Sequence, residues 1–154
     1  MREQIRQRVG EPIMALLRMG ASPRRIAISI AVGTIIGILP LLGTTTALCF
    51  VIALSLRLNL VAMQSFNWLV AGPQLILIVP FIRLGEKFYR VPPLSVHPDE
   101  VREIFATGLL EAVHRLGISI GHAVTGWLLV APLLFLFCYA LSYPILLNIA
   151  RKRA

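Results

Sequence analysis

Residues 25–57 read RIAISIAVGTIIGILPLLGTTTALCFVIALSLR, with no charged side chain between the two arginines. At the middle lies Pro40-Leu41-Leu42-Gly43-Thr44-Thr45-Thr46. One straight helix does not run through such a segment, because proline lacks an amide proton and its ring collides with the carbonyl four residues earlier. The stretch is too apolar for water and too broken for one plain span. It predicts two short apolar helices joined by a polar turn.

The composition points the same way. Of 154 residues, 57% are apolar and only 14% charged, and the mean hydropathy is +0.81. Soluble domains carry about 25% charged residues, so a membrane class is favoured. The net charge of +8 is concentrated at the ends, in Arg2, Arg6, Arg8, Arg18, Arg24 and Arg25 and in Arg151, Lys152 and Arg153. A nucleic-acid binder interleaves bases with aromatics on a soluble face. Bases that flank apolar runs follow the positive-inside pattern instead. Membrane lipids are therefore the expected partners, and nucleic acid is not. Cys49 and Cys138 lie inside apolar runs and read as small buried residues. His97, His114 and His122 are scattered without metal-ligand spacing, so neither metal nor cofactor is expected. No cleaved leader is expected either, since the first apolar run carries no small-residue cleavage site.

Outward from the organising stretch, residues 1–24 form a basic arm in which Ile5, Val9, Ile13, Leu16 and Leu17 recur at helical spacing. Such an arm lies on an anionic leaflet or simply sets orientation. Ser22-Pro23 reads as an N-cap followed by proline at the first helical position. Ser29, Gly33 and Gly37 then recur every four positions, a small-residue stripe that lets another backbone approach closely. Thr44–Thr46 are placed to cap the second helix. The membrane core of broken helices extends over 25–90: a second uncharged stretch, 58–82, carries Gln64, Asn67 and Gln74 and is interrupted at Gly72-Pro73. Arg25 precedes Pro40, and Arg57 precedes Gly72, by the same interval, which hints at a repeated unit. Residues 91–116 hold a stiff Pro92-Pro93 linker and an amphipathic interfacial helix opening at Pro98-Asp99-Glu100, with Val101, Ile104, Phe105, Ala112, Val113 and Leu116 on one face. Residues 117–154 give a third uncharged stretch and a basic tail; Pro132 and Pro144 kink this helix, or Pro132 turns it back.

The run from Ser22-Pro23-Arg24-Arg25 through Leu84-Gly85 resembles a known family. The matching features are the S-P-R-R-I-A opening, A-V-G-x-x-x-G-I-L-P-L-L-G-T-T-T, the L-R-L-N-L segment end, and a G-P break followed by an apolar run closing R-L-G. These are similar to the DUF2062 family of small bacterial membrane proteins. The resemblance implies location and architecture and supplies no chemistry. The family usually carries Asn-Pro at the second break, where this chain has Gly72-Pro73 followed by Gln74, so no asparagine role transfers to that position.

The fold class expected is all-α: an integral membrane helical protein with short, broken helices that cross or re-enter, plus an amphipathic interfacial helix. Four crossings with short first two helices are favoured, in a bacterial inner (cytoplasmic) membrane with both termini cytoplasmic. One function read from the residues is transport or lipid handling at the breaks. Pro40, Gly43, Thr44 and Thr45 would act at one break and Asn67, Gly72, Pro73 and Gln74 at the other. Arg57 and Asn59 would contact lipid phosphate or guard an entrance, with an interfacial anchor as the plain alternative for Arg57. The other function is a non-transporting assembly or scaffold subunit that packs through Ser29, Gly33 and Gly37 onto itself or another membrane protein. No enzyme is expected, because carboxylates are missing from the apolar stretches and acid–base chemistry needs such groups beside substrate.

Overall fold

The computed structural model describes residues 22–93 and 109–151. The basic arm and the opening of the interfacial helix at Pro98 fall outside them. The described residues form five helices in order: α1 Pro23–Gly37, α2 Thr45–Ser55, α3 Leu60–Leu69, α4 Ala71–Tyr89 and α5 Leu109–Arg151. The described residues contain no strand.

Helix α1 begins as expected, with Ser22 extended at the N-cap and a proline in the first turn, although the serine side chain makes no capping bond. It stops at Gly37 because Pro40 cannot continue it. The last amides tighten: Leu39 N donates to Ile36 O at 3.0 Å rather than to Ile35 O. Gly43 then turns the chain at φ +83. The threonines behave differently from the capping expectation. Thr44 is the N-cap of α2 but makes no side-chain cap bond; its hydroxyl donates back to Leu41 O at 3.0 Å. In its αR conformation the hydroxyl closes the preceding turn instead of the next helix. Asn59 does cap α3, accepting from Ala62 N at 2.9 Å.

The second break falls at Val70, just before Gly72-Pro73. Pro73 would clash with the carbonyl of Leu69 in a continuous helix, so α3 ends there and Pro73 sits in the first turn of α4, where proline is tolerated. The two helices meet at 66°. Here the hinted repeat loses its counterpart in shape: the first break reverses the chain, whereas the second only bends it.

Helix α1 is the buried centre. Ile26, Ala27, Ser29 and Ala31 are fully enclosed. Ser29 Oγ accepts from Asn59 N at 2.8 Å. A Cβ on Gly33 would lie 2.8 Å from Met63 Cα, and one on Gly37 2.9 Å from Asn67 Cα. The matched steps of four show that α1 and α3 run parallel at backbone contact. On the other side Ile26 and Ile30 meet Leu146, Tyr139 and Tyr143, while Ile38 meets Ala123 and Trp127, so α5 runs antiparallel to α1. Helix α4 is antiparallel to α5 at a close crossing. A Cβ on Gly85 would lie 2.8 Å from His122 Cα, and one on Gly126 3.1 Å from Phe81 Cα.

Helix α5 is continuous through Pro132 and Pro144, so it does not fold back. It is also continuous across 116–117, where the interfacial helix and the last apolar helix had been expected to part. From Gly117 to Arg151 it is long and apolar enough to cross a membrane, and α3 with α4 would qualify as one broken span. Helices α1 and α2, with 15 and 11 residues, rise about 22 and 17 Å, short of a hydrocarbon layer of about 30 Å. Among the described residues, one helix is thus long enough to cross, or two with the bent pair, against the four crossings expected. Large apolar side chains face outward along the whole assembly, among them Ile76 at 76%, Leu133 at 70%, Trp68 at 67% and Phe137 at 65% exposure.

Candidate functional site at the helix breaks

The two breaks, far apart in sequence, lie side by side. Gly37 touches Val70, and Gln74 Nε2 donates to Leu39 O at 2.6 Å. Neutral side-chain donors reach the carbonyls where the chain leaves α1. Gln74 joins Leu41 N on Leu39 O, two residues past the helix, and the Trp127 indole N–H serves Ile35 O at 3.0 Å. A third contact ties in the start of α2: Gln64 Nε2 donates to Thr46 O at 2.9 Å.

These bonds leave one group over. Thr46 O can only accept, so Gln64 must present its amide nitrogen there and its oxygen Oε1 towards Asn67. Asn67 Nδ2 then donates to Gln64 Oε1 at 3.2 Å. The direction of the chain is fixed, and Asn67 Oδ1 is left without a hydrogen-bond partner although Asn67 is only 3% exposed. A buried acceptor without a donor costs about 1–3 kcal/mol. Such groups are rare in folded proteins, and an ordered water is one of the things that satisfies them.

Of the residues picked from sequence, Pro40, Gly43, Thr44 and Thr45 form the first break, and Asn67, Gly72, Pro73 and Gln74 flank the second. A Cβ on Gly72 would meet nothing within 4 Å and Pro73 sets the bend; Asn67 and Gln74 carry the polar contacts. Arg57 and Asn59 belong elsewhere, at the end of the bundle where α1 begins, since Asn59 N bonds Ser29 Oγ. The stripe of Ser29, Gly33 and Gly37 is occupied by α3 of the same chain, leaving a partner no free access to it. Gln64 and Trp127 are site contacts that the sequence reading does not single out. Gln64 was visible as a lone amide in an apolar run, whereas nothing in the sequence links Trp127 to a carbonyl 92 positions earlier.

Among the described residues the cluster holds amides, hydroxyls and carbonyls and no ionisable side chain. It can accept and donate hydrogen bonds within apolar surroundings; it cannot exchange protons as an acid–base pair. Fold and site together define an all-helical protein with an outward apolar surface and paired helix breaks around neutral polar groups. The chain belongs to the DUF2062 family, described as an uncharacterized protein conserved in bacteria, whose profile matches residues 6–154. No curated protein and no solved structure is significantly similar to it.

Proposed function

We propose that this chain is a multi-pass protein of the bacterial inner membrane that admits a polar molecule, a small solute or a lipid headgroup, to the paired breaks. The observation that carries the reading is the orphaned Asn67 Oδ1. An unpaired amide oxygen inside an apolar layer is costly, and a donor group arriving from water or from a ligand removes that cost. The outward apolar surface supports the membrane placement, because soluble monomers rarely expose contiguous apolar patches beyond a few hundred Å². Proline-broken helices beside uncharged polar groups are also how many membrane transporters build a binding site within the bilayer. The role is non-catalytic. The scaffold reading has less support, since α3 already covers the small-residue stripe.

The test is solvent access. In a Cys49→Ala/Cys138→Ala background, Thr46→Cys in reconstituted protein is expected to react with a small charged thiol reagent. Asn67→Leu, which removes the wet acceptor, is expected to slow that reaction. Complete protection of Thr46→Cys in the folded protein, with full reaction after denaturation, would overturn the reading.

A further inference from the structure

Four arginines gather at the end of the bundle remote from the α4–α5 crossing. Arg24 and Arg25 open α1, Arg57 follows α2 and Arg151 closes α5. Ser29 Oγ donates to Arg25 O and accepts from Asn59 N, both at 2.8 Å, which holds the α2–α3 junction against the start of α1. Ile26 packs on Leu146, so α5 exits at the same end. All four arginines are exposed. None has a carboxylate partner among the described residues, where the ion pair present is Arg83–Glu86 on α4.

Three of the four stand against local backbone preference. Arg24 and Arg25 occupy the first turn of α1, which contains no acidic residue. The positive end of the helix dipole disfavours cations there and favours anions. Arg57 takes φ 51, closing α2 through Leu58 N to Ala53 O at 2.9 Å and Arg57 N to Leu54 O at 3.3 Å. That left-handed closing position favours glycine, and Arg90 closes α4 in the same way at φ 56. An anion beside the first turn of α1 would offset the dipole cost at Arg24 and Arg25. Leu54 and Leu56, 63% and 62% exposed, adjoin Arg57, so the basic end borders the apolar surface directly.

Resting on the membrane placement above, we infer that this end binds the phosphates of anionic phospholipid headgroups, with Arg24, Arg25 and Arg57 as ligands and Arg151 completing the rim. Guanidinium forks pair with phosphate through two parallel hydrogen bonds. A phosphate beside the first turn of α1 also answers its exposed amides.

The test uses the full chain in phosphatidylcholine vesicles with or without phosphatidylglycerol, reading the unfolding midpoint and the lipid retained on extraction. The wild type is expected to unfold at higher temperature with phosphatidylglycerol and to retain it preferentially. That preference is expected to fall about fivefold for each arginine neutralised. Arg57→Gly separates backbone from ligand roles: in phosphatidylcholine alone it should unfold at or above the wild-type midpoint, yet lose part of the anionic preference. Arg24→Gln/Arg25→Gln should lose more of the preference and serves equally if Arg57→Gly does not fold. Equal midpoints and no enrichment in the wild type would overturn the inference, as would full retention of the preference in the variants. Equal protection by inorganic phosphate would overturn it too, by assigning the site to a free anion. A chain that folds in buffer without lipid would instead sink the membrane placement, a separate and visible result.

Discussion

Single residues decide how closely the helices approach. Gly33 has backbone of Met63 where its Cβ would be, while Gly72 has nothing within 4 Å. Two identical substitutions should therefore differ in sign. Gly33→Ala is expected to destabilise the fold by about 1–3 kcal/mol through overpacking. Gly72→Ala, at a helical position with open space, should be neutral or stabilise by about 0.4–1 kcal/mol. Thermal unfolding of the two variants in one detergent checks both. The sequence made the small-residue stripe legible because a period of four survives any tertiary context. It left open what covers the stripe, since a glycine face accepts a neighbour from its own chain or another equally well. The amides were legible as isolated polar groups in apolar runs. That Asn67 rather than Gln74 is the one left unpaired was not, because it depends on the direction of bonds running through Gln64 to Thr46.

At the scale of elements, prolines proved informative in different ways. Pro40 and Pro73 end or bend helices near the places expected, and the actual boundary at Val70 follows from the clash Pro73 makes one turn upstream. Pro132 and Pro144 do not divide α5. Their cost is spread over a long helix held against α1 and α4, a tertiary effect that no local pattern reports. The α4–α5 crossing depends on two reciprocal glycines, Gly85 against His122 and Gly126 against Phe81. Gly85→Ala and Gly126→Ala should each separate the two helices and lower the unfolding midpoint. Because both act on one interface, the double variant should cost less than the sum of the two singles. Additive losses would mean that the two contacts are independent.

For the whole molecule, the decisive quantity is the spacing of charge. Through Phe81–Gly126 and Gly85–His122, Arg83 lies level with the part of α5 between His122 and Gly126. From there to Arg151 the helix carries no Asp, Glu, Lys or Arg and extends about 40 Å. That matches a hydrocarbon core of about 30 Å with its interfacial zones. The antiparallel contacts of α5 with α1 and α4 put the start of α1 and the end of α5 at one end, and the end of α4 at the other. Reporters fused before Pro23 and after Arg151 should therefore report the same side of the membrane. A cysteine at Pro93 should be labelled from the opposite side. Labelling of all three from one side would rule out a crossing by α5.

The bond between Trp127 and Ile35 O also has a temporal side. The ribosome delivers the carbonyl long before the indole, so a nascent chain released after α4 would hold α1 half wrapped, its exit carbonyl bare and its Ile26 flank open. Biogenesis must then shelter the first helix until the last one arrives, and truncation ahead of Leu109 should yield a product degraded rather than stored.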